Sequence, residues 1–194
     1  MGDNLADRPK GAGKNSFALI DADVLFAEMP LGRGGDFLDL ACGPGAYSLE
    51  AARRFPSARI HSFDLAPDLI EELRRQAAVA GRTNISAAVA DIGRAIPLPD
   101  AAVDFCLLAM VLHDLVEDKV EATALREIKR VLRAGGVLAV VEFKKVPPPP
   151  GPPLQVRLAP GELENLLVGN GFRQKRTFTA GASAYISIFS PSGV

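Results

Sequence analysis

Few cysteines and no dominant sign of charge narrow the reading of this sequence before any motif is considered. Two cysteines, Cys42 and Cys106, in 194 residues are too few for the disulfide framework of a secreted scaffold, so a reducing, cytoplasmic setting is expected. Both sit in apolar stretches that read as the ends of core strands. With 22 Lys and Arg against 23 Asp and Glu the net charge is −1, and no global field recruits nucleic acid or an anionic membrane. No run of 18 apolar residues offers a membrane span. Residues 1–15 are polar and Gly-rich, lack the apolar stretch of a secretory signal, and are expected to form a disordered arm. Two histidines and two cysteines far apart in sequence give no metal-ligand spacing, so no metal is expected. There is no internal repeat and no second domain, which leaves residues 16–194 as a single domain.

What is present is an alternation of short apolar runs and amphipathic runs. Strands are predicted at Asp36–Leu40, Arg59–Asp64, Ile85–Ala90, Val103–Ala109, Gly136–Phe143, Phe172–Phe178 and Ala184–Ser190. Helices are predicted at Phe17–Met29, Gly45–Arg54, Ala66–Ala80, Lys119–Leu132 and Pro160–Asn170. Pro67 near the first turn and Gly81 past the end frame the third of these. Such pacing argues for βαβ units in a three-layer α/β sandwich with a mostly parallel, seven-stranded sheet. The last two strands are separated only by Gly181 and small residues, and so should pair as an antiparallel hairpin. The segment 16–34 reads as an N-terminal covering helix, and 144–158 as a stiff Pro-rich connector.

The most informative stretch is Leu38-Asp39-Leu40-Ala41-Cys42-Gly43-Pro44-Gly45, a buried strand running into a glycine turn with a helix directly behind it. Glycines let the backbone approach a ligand, and the helix start offers N–H groups to an electron-rich part of it. The turn is followed by Ala46, Tyr47 and Ser48, so the third glycine of a dinucleotide fingerprint is missing. The only Gly-Lys pair, Gly13-Lys14, has no strand before it and no Ser or Thr after it, which excludes a phosphate loop. Asp39 just before the turn would repel a pyrophosphate and suit a cation. Asp64 follows about 20 residues after the turn, where nucleotide-binding α/β folds place a carboxylate on ribose hydroxyls. Asp91 ends the next strand. All three acids fall at carboxyl ends of strands, the ligand edge of open α/β sheets. The plainer alternatives are a tight turn at Gly43 and Gly45, a helix cap at Asp64 and a loop or cap residue at Asp91.

These residues resemble the class I S-adenosylmethionine-dependent methyltransferases, in the branch that includes the ubiquinone and menaquinone C-methyltransferases. The likeness continues through Phe63-Asp64-Leu65, Ala90-Asp91-Ile92, Leu112-His113-Asp114 and Arg126-Glu127-Ile128-Lys129-Arg130-Val131-Leu132-Arg133-Ala134-Gly135-Gly136. The resemblance implies a Rossmann-like fold, S-adenosyl-L-methionine as methyl donor, S-adenosyl-L-homocysteine as product and a small-molecule acceptor. It places Asp39, Ala41, Cys42, Gly43 and Gly45 around the methionine part of the cofactor, Asp64 on the ribose, and Leu65 against the adenine. Asp91 would accept from the adenine amino group, Ile92 would stack on the ring, and Ala109 and Met110 would lie near the sulfonium. Ala41 departs from the family, which more often has glycine there.

The donor carries an activated methyl, so the protein must position a nucleophile and exclude water. An oxygen, nitrogen or acidic carbon nucleophile also needs a base. His113, following the fourth strand, is the candidate, since its pKa lies near neutrality; a structural histidine bonded to backbone is the alternative. Asp114 would orient His113 or cap the next short helix. Tyr47 would cover the cofactor or pack in the core. Glu142, Lys144 and Lys145 end the fifth strand on the ligand edge, and Arg157 would meet an acidic substrate; a solvated charged loop is the alternative. His61 reads as structural. Two other functions remain open: a non-catalytic cofactor-binding module, marked by a cavity without polar lining, and a nicotinamide-dependent oxidoreductase. Neither the methyl acceptor nor the oligomeric state is legible.

Overall fold

The structure is a computed structural model that describes residues 16–31, 34–147 and 151–193. The arm expected at 1–15, and residues 148–150 of the connector, lie outside the described residues. Seven strands form one sheet: β1 (Asp36–Leu40), β2 (Arg59–Asp64), β3 (Ile85–Val89), β4 (Val103–Ala109), β5 (Leu132–Phe143), β6 (Phe172–Thr179) and β7 (Ala184–Pro191). Their order is β3-β2-β1-β4-β5-β7-β6. The pairs among β1 to β5 are parallel, and β7 is antiparallel to both β5 and β6. The strand order reverses between β1 and β4, the point where sheets of this kind open a crevice at their carboxyl ends.

The sheet is covered on both faces, and the period of two in its strands sorts the core. Leu38, Cys106, Leu108, Leu138 and Val140 pack with Leu125, Ile128, Leu163 and Phe172 on one side. Phe37, Phe105, Leu107, Ala139 and Val141 pack with Leu25, Phe26, Tyr47 and Ala51 on the other. Each such aliphatic or aromatic side chain contributes about 1.5–3 kcal/mol on burial. The helices are α1 (Ala22–Phe26), α2 (Ala46–Arg54), α3 (Pro67–Val79), α4 (Leu112–Glu117), α5 (Glu121–Val131) and α6 (Pro160–Gly169). Helix α3 starts on Pro67 and closes with Gly81 at φ +63°, where Arg82 N–H reaches Ala77 O at 2.8 Å, as the proline and glycine positions predict.

Four expectations are corrected. The single helix over Phe17–Met29 is instead a 3₁₀ turn at Phe17–Leu19 and then α1. Ile20 between them is extended, and Asp21 caps α1 by accepting the Asp23 N–H at 3.0 Å; this local capping bond outcompetes the helical period across the break. Cys106 lies in the middle of β4 rather than at its end. Strand β5 begins at Leu132, not Gly136, and its pairing with β4 shifts register between Val103 and Phe105. Finally, Val111 rather than Asp114 is the N-cap of α4.

At the amino end of the sheet, away from the crevice, Asp36 is buried under Arg59 (2.7 Å), Arg133 (3.0 Å) and His61 Nε2 (3.1 Å). Burial alone would raise its pKa, but the hydrogen bonds from these three residues outweigh it and hold the carboxyl at about 2. His61 is therefore structural.

Candidate active site

The carboxyl ends of β1, β2 and β4 and the loop after β3 surround a cavity of about 810 Å³, within the range of small-molecule sites. Asp39, Ala41, Cys42, Gly43, Asp64, Leu65, Asp91, Ile92, Ala109, Met110, His113 and Asp114 all line it. Residues from six separate stretches of sequence are thus brought to one space. Gly45 is not among the lining residues; a Cβ at its position would run into Leu73.

The glycine turn is built from left-handed residues. Ala41 has φ +52°, Gly43 +54° and Gly45 +85°. The conformation costs an alanine about 1–2 kcal/mol, which accounts for the family's preference for glycine at position 41. Ala41→Gly is expected to raise stability by about 0.5–1 kcal/mol after the extra freedom of the unfolded chain is subtracted. A thermal melt checks this; an unchanged or lowered Tm contradicts it. Met110, at the end of β4, is also left-handed, at φ +57°. Its N–H bonds Val141 O at 2.8 Å, which fixes its strained backbone at the cavity wall.

The acids differ in environment. Asp39 is fully enclosed and accepts the Ser48 hydroxyl at 2.6 Å, and Ser48 in turn pairs with Ser62 at 2.7 Å. Burial, opposed by the Ser48 bond and reinforced by the Asp64 charge, pushes its pKa up to about 7. Asp64 accepts the Gly43 N–H at 2.8 Å and the Ala66 N–H at 2.9 Å, so it ties the turn to the entry of α3. Ala66, not Asp64, is the N-cap of α3. Each oxygen of Asp64 keeps a second lone pair. Asp91 folds its own loop by accepting the Gly93 N–H at 3.0 Å and pairs with Arg94 at 3.1 Å; it has a loop role as well as facing the cavity. No side chain caps α2, so its first N–H groups face the turn without a side-chain acceptor.

His113 sits at the start of α4 and is almost completely buried. Its Nδ1 lies 3.0 and 2.9 Å from the two carboxyl oxygens of Glu142, which also accepts the His113 backbone N–H at 3.1 Å. Glu142 is fully buried. It is not part of a solvated charged loop: it lies on the β5 face shared by Leu138 and Val140, whose period of two was the available signal. With Nδ1 so held, Nε2 is the ring atom left for other contacts; Asp114 stands 3.7 Å from it, beyond hydrogen-bond reach. Burial favours the neutral ring, but the Glu142 hydrogen bond and the charges of Glu142, Asp114 and Glu117 together raise its pKa.

Two segments wall the cavity. Ser16 Oγ lies 3.2 Å from the Tyr47 hydroxyl, and Phe17 stacks edge-on against Tyr47 at 5.1 Å. Burial raises the Tyr47 pKa, so the phenol stays neutral. On the other side Gly151, Pro152 and Val156 line the cavity. Arg157 is buried rather than solvated and donates to Pro152 O (2.9 Å), Lys144 O (2.9 Å) and Val146 O (3.3 Å). Its guanidinium lies over the Phe143 ring, which in turn meets His113 at 6.1 Å. A proline run in sequence gave no sign of this clamp, because a buried guanidinium satisfied by backbone carbonyls has no sequence pattern. Among the described residues no helix is long and apolar enough to cross a membrane, and no cluster of three His, Cys, Asp or Glu could hold a metal ion.

Residues 37–136 match the sequence family described as a methyltransferase domain. The chain is 37% identical over 113 residues to the demethylmenaquinone methyltransferase of Thermus thermophilus, covering 58% of this chain and 48% of that protein. It is 37% identical over 127 residues to the malonyl-[acyl-carrier protein] O-methyltransferase of Enterobacter lignolyticus, covering 64% and 45%. The chain thus spans about half the length of these relatives. Its fold is similar to that of a SAM-dependent methyltransferase from Aquifex aeolicus, with a TM-score of 0.81, 24% identity and coverage of 91% and 93%.

Proposed function

The chain belongs to the methyltransferase domain family, with the class I S-adenosylmethionine-dependent fold, and from that premise we propose that it transfers the cofactor's methyl group to a small-molecule acceptor. The observation that carries this reading is the convergence of Asp39, Asp64, Asp91 and the glycine turn on one cavity that also holds His113. The residues present fit the cofactor. Asp39 offers a buried carboxyl that a cation would ionise, α2 offers uncapped N–H groups to a carboxylate, and space lies open where a Gly43 side chain would stand.

In this reading Asp39, Ala41, Cys42, Gly43 and Gly45 hold or shape the methionine end. Asp64 holds the ribose hydroxyls beside Leu65, Asp91 and Ile92 bind the adenine, and Ala109 and Met110 flank the sulfonium. When bound, S-adenosylmethionine supplies an activated methyl on a positively charged sulfur. His113 Nε2 takes the acceptor's proton, while Glu142 holds the ring through Nδ1, as in other base–orienter pairs. Phe143, Tyr47 and the Arg157-clamped strap exclude water from this space. The mark of a mere binding module, a cavity without polar lining, is not met: His113, Asp114, Glu117 and Asp118 all line it. The test is release of S-adenosylhomocysteine against a panel of small acceptors that includes reduced quinones and amines. Acceptor-dependent release supports the enzyme; binding of the cofactor with no release across the panel favours the module.

Asp39 gives this reading a pH signature. Its pKa of about 7 reflects burial without a cation. A bound sulfonium favours the ionised form, so binding releases a proton below that pH. Affinity for S-adenosylmethionine is therefore expected to rise about tenfold from pH 6 to pH 8, and calorimetry at both values checks it. The Asp39→Asn variant should lose this slope; a flat profile in the parent protein contradicts the assignment.

A further inference from the structure

The strand that carries Glu142 ends against a buried arginine. Arg157 is 2% exposed, and a guanidinium is costly to take out of water unless its N–H groups are met. Its Nε donates to Pro152 O at 2.9 Å, and Nη1 donates to Lys144 O at 2.9 Å and Val146 O at 3.3 Å. Its Cζ stands 5.3 Å from the centroid of the Phe143 ring. The strap backbone presses on the same ring: at φ +109°, a Cβ on Gly151 would lie 2.7 Å from both Phe143 Cδ1 and Cε1. The ring is thus held between a guanidinium and a glycine backbone. It meets His113 edge-on, with centroids 6.1 Å apart. Phe143 also touches the pair through its backbone. Its N–H donates at 3.3 Å to Glu142 Oε2, an oxygen 2.9 Å from His113 Nδ1. Phe143, His113, Gly151, Pro152 and Val156 all line the cavity.

A connector that needed only to pack would close at lower cost on an apolar side chain. A guanidinium does two things at once. It donates in its plane to carbonyls of both the strand end and the strap, and it lies with its face over a ring. Resting on the methyltransferase reading, we propose that Arg157 is a positioning residue: it fixes the Phe143 ring, and through that ring the His113–Glu142 pair, beside the cavity. Asp39, Asp64 and Asp91, which hold the donor in that reading, lie on β1, on β2 and after β3, so donor binding does not pass through this clamp. The strap wall and the base are set together. A small displacement of a positioned group lowers a rate steeply, so the clamp governs transfer rather than cofactor capture.

The chain has two histidines, which makes the test selective: His113 is read against His61, bonded to Asp36 at the other end of the sheet. S-adenosylhomocysteine is titrated into the full chain first by calorimetry; if it produces no heat, the methyltransferase reading falls and this proposal with it. Nuclear magnetic resonance of the imidazole groups then follows the Nδ1 proton that the Glu142 carboxylate accepts. In the parent protein this proton is expected to be protected from exchange with water. Arg157→Met keeps an apolar side chain and removes the donors. It is expected to lose the protected signal and to move the His113 ring signals, with His61 unchanged and S-adenosylhomocysteine affinity within about twofold. Arg157→Lys keeps the charge without the planar fork and should lose the protected signal as well; it decides the matter if Arg157→Met does not fold. In a Phe143→Leu background, Arg157→Met should add no further change at His113, as for a residue that acts through the ring. An unprotected proton in the parent, parent-like His113 signals in Arg157→Lys, an equal change at His61, or a full further change in the double variant overturns the positioning role and leaves the cofactor reading standing.

Discussion

His113→Ala is expected to lower kcat by about 10²- to 10⁴-fold, the usual contribution of a positioned base, while S-adenosylhomocysteine affinity changes little. The expectation follows from geometry: Glu142 occupies Nδ1 at 2.9–3.0 Å, and His113 lines the cavity. Glu142→Gln should cost less, about 10- to 100-fold, since the amide can still orient the ring. It should also move the pH profile. Burial is the largest influence on His113 and favours the neutral ring; the Glu142 bond and charge are what lift its pKa. Removing that charge lowers the pKa. A base must be unprotonated to act, so the acidic limb of kcat/KM against pH shifts to lower pH in Glu142→Gln. A purely structural Glu142 would reduce activity without moving that limb. Unchanged turnover in His113→Ala removes the residue from the mechanism.

Gly45→Ala is expected to destabilise the fold by about 2–5 kcal/mol. A Cβ there would lie 2.1 Å from Leu73 Cδ1 and 2.8 Å from Cγ, at φ +85°. The left-handed backbone costs about 1–2 kcal/mol and the overpacking about 1–3. At about 2–4 °C per kcal/mol for a chain of this size, the Tm should fall by about 4–20 °C. Gly43→Ala makes the contrast. Nothing lies within 4 Å of a Cβ at Gly43, whose φ is +54°, so only the backbone term applies and Tm falls by a few degrees. The new methyl instead enters cofactor space and weakens S-adenosylmethionine binding. Equal Tm losses in the two variants would contradict this division of labour between turn packing and ligand approach.

The parts of the fold that could be read in advance were those where one pattern decides. Phe105 to Ala109 is continuously apolar because β4 is buried on both faces, and Leu38 to Gly45 carries both a strand and its turn in eight residues. The strand-end acids could be read for the same reason: a parallel sheet places its carboxyl ends on one edge. Glu142 was legible as part of the fifth strand but not as buried, because it stands next to Phe143, Lys144 and Lys145, a run that reads as a charged loop. Its burial depends on His113, 29 residues away, and no local rule connects them. The helix expected over Phe17–Met29 failed because Asp21 caps a new helix in the middle of an apolar period. The burial of Arg157 was missed because its partners among the described residues include three backbone carbonyls, which any sequence supplies. The paired glycines were legible as a turn, but the left-handed state of Ala41 was not, since alanine gives no sign of it.

The most direct test of the account is a calorimetric titration of the folded protein with S-adenosylmethionine and, separately, with NADH. The account predicts a saturable heat at one site per chain with S-adenosylmethionine, with affinity weakened in Gly43→Ala, and no heat with NADH. No heat with S-adenosylmethionine, or a saturable heat with NADH, would contradict it.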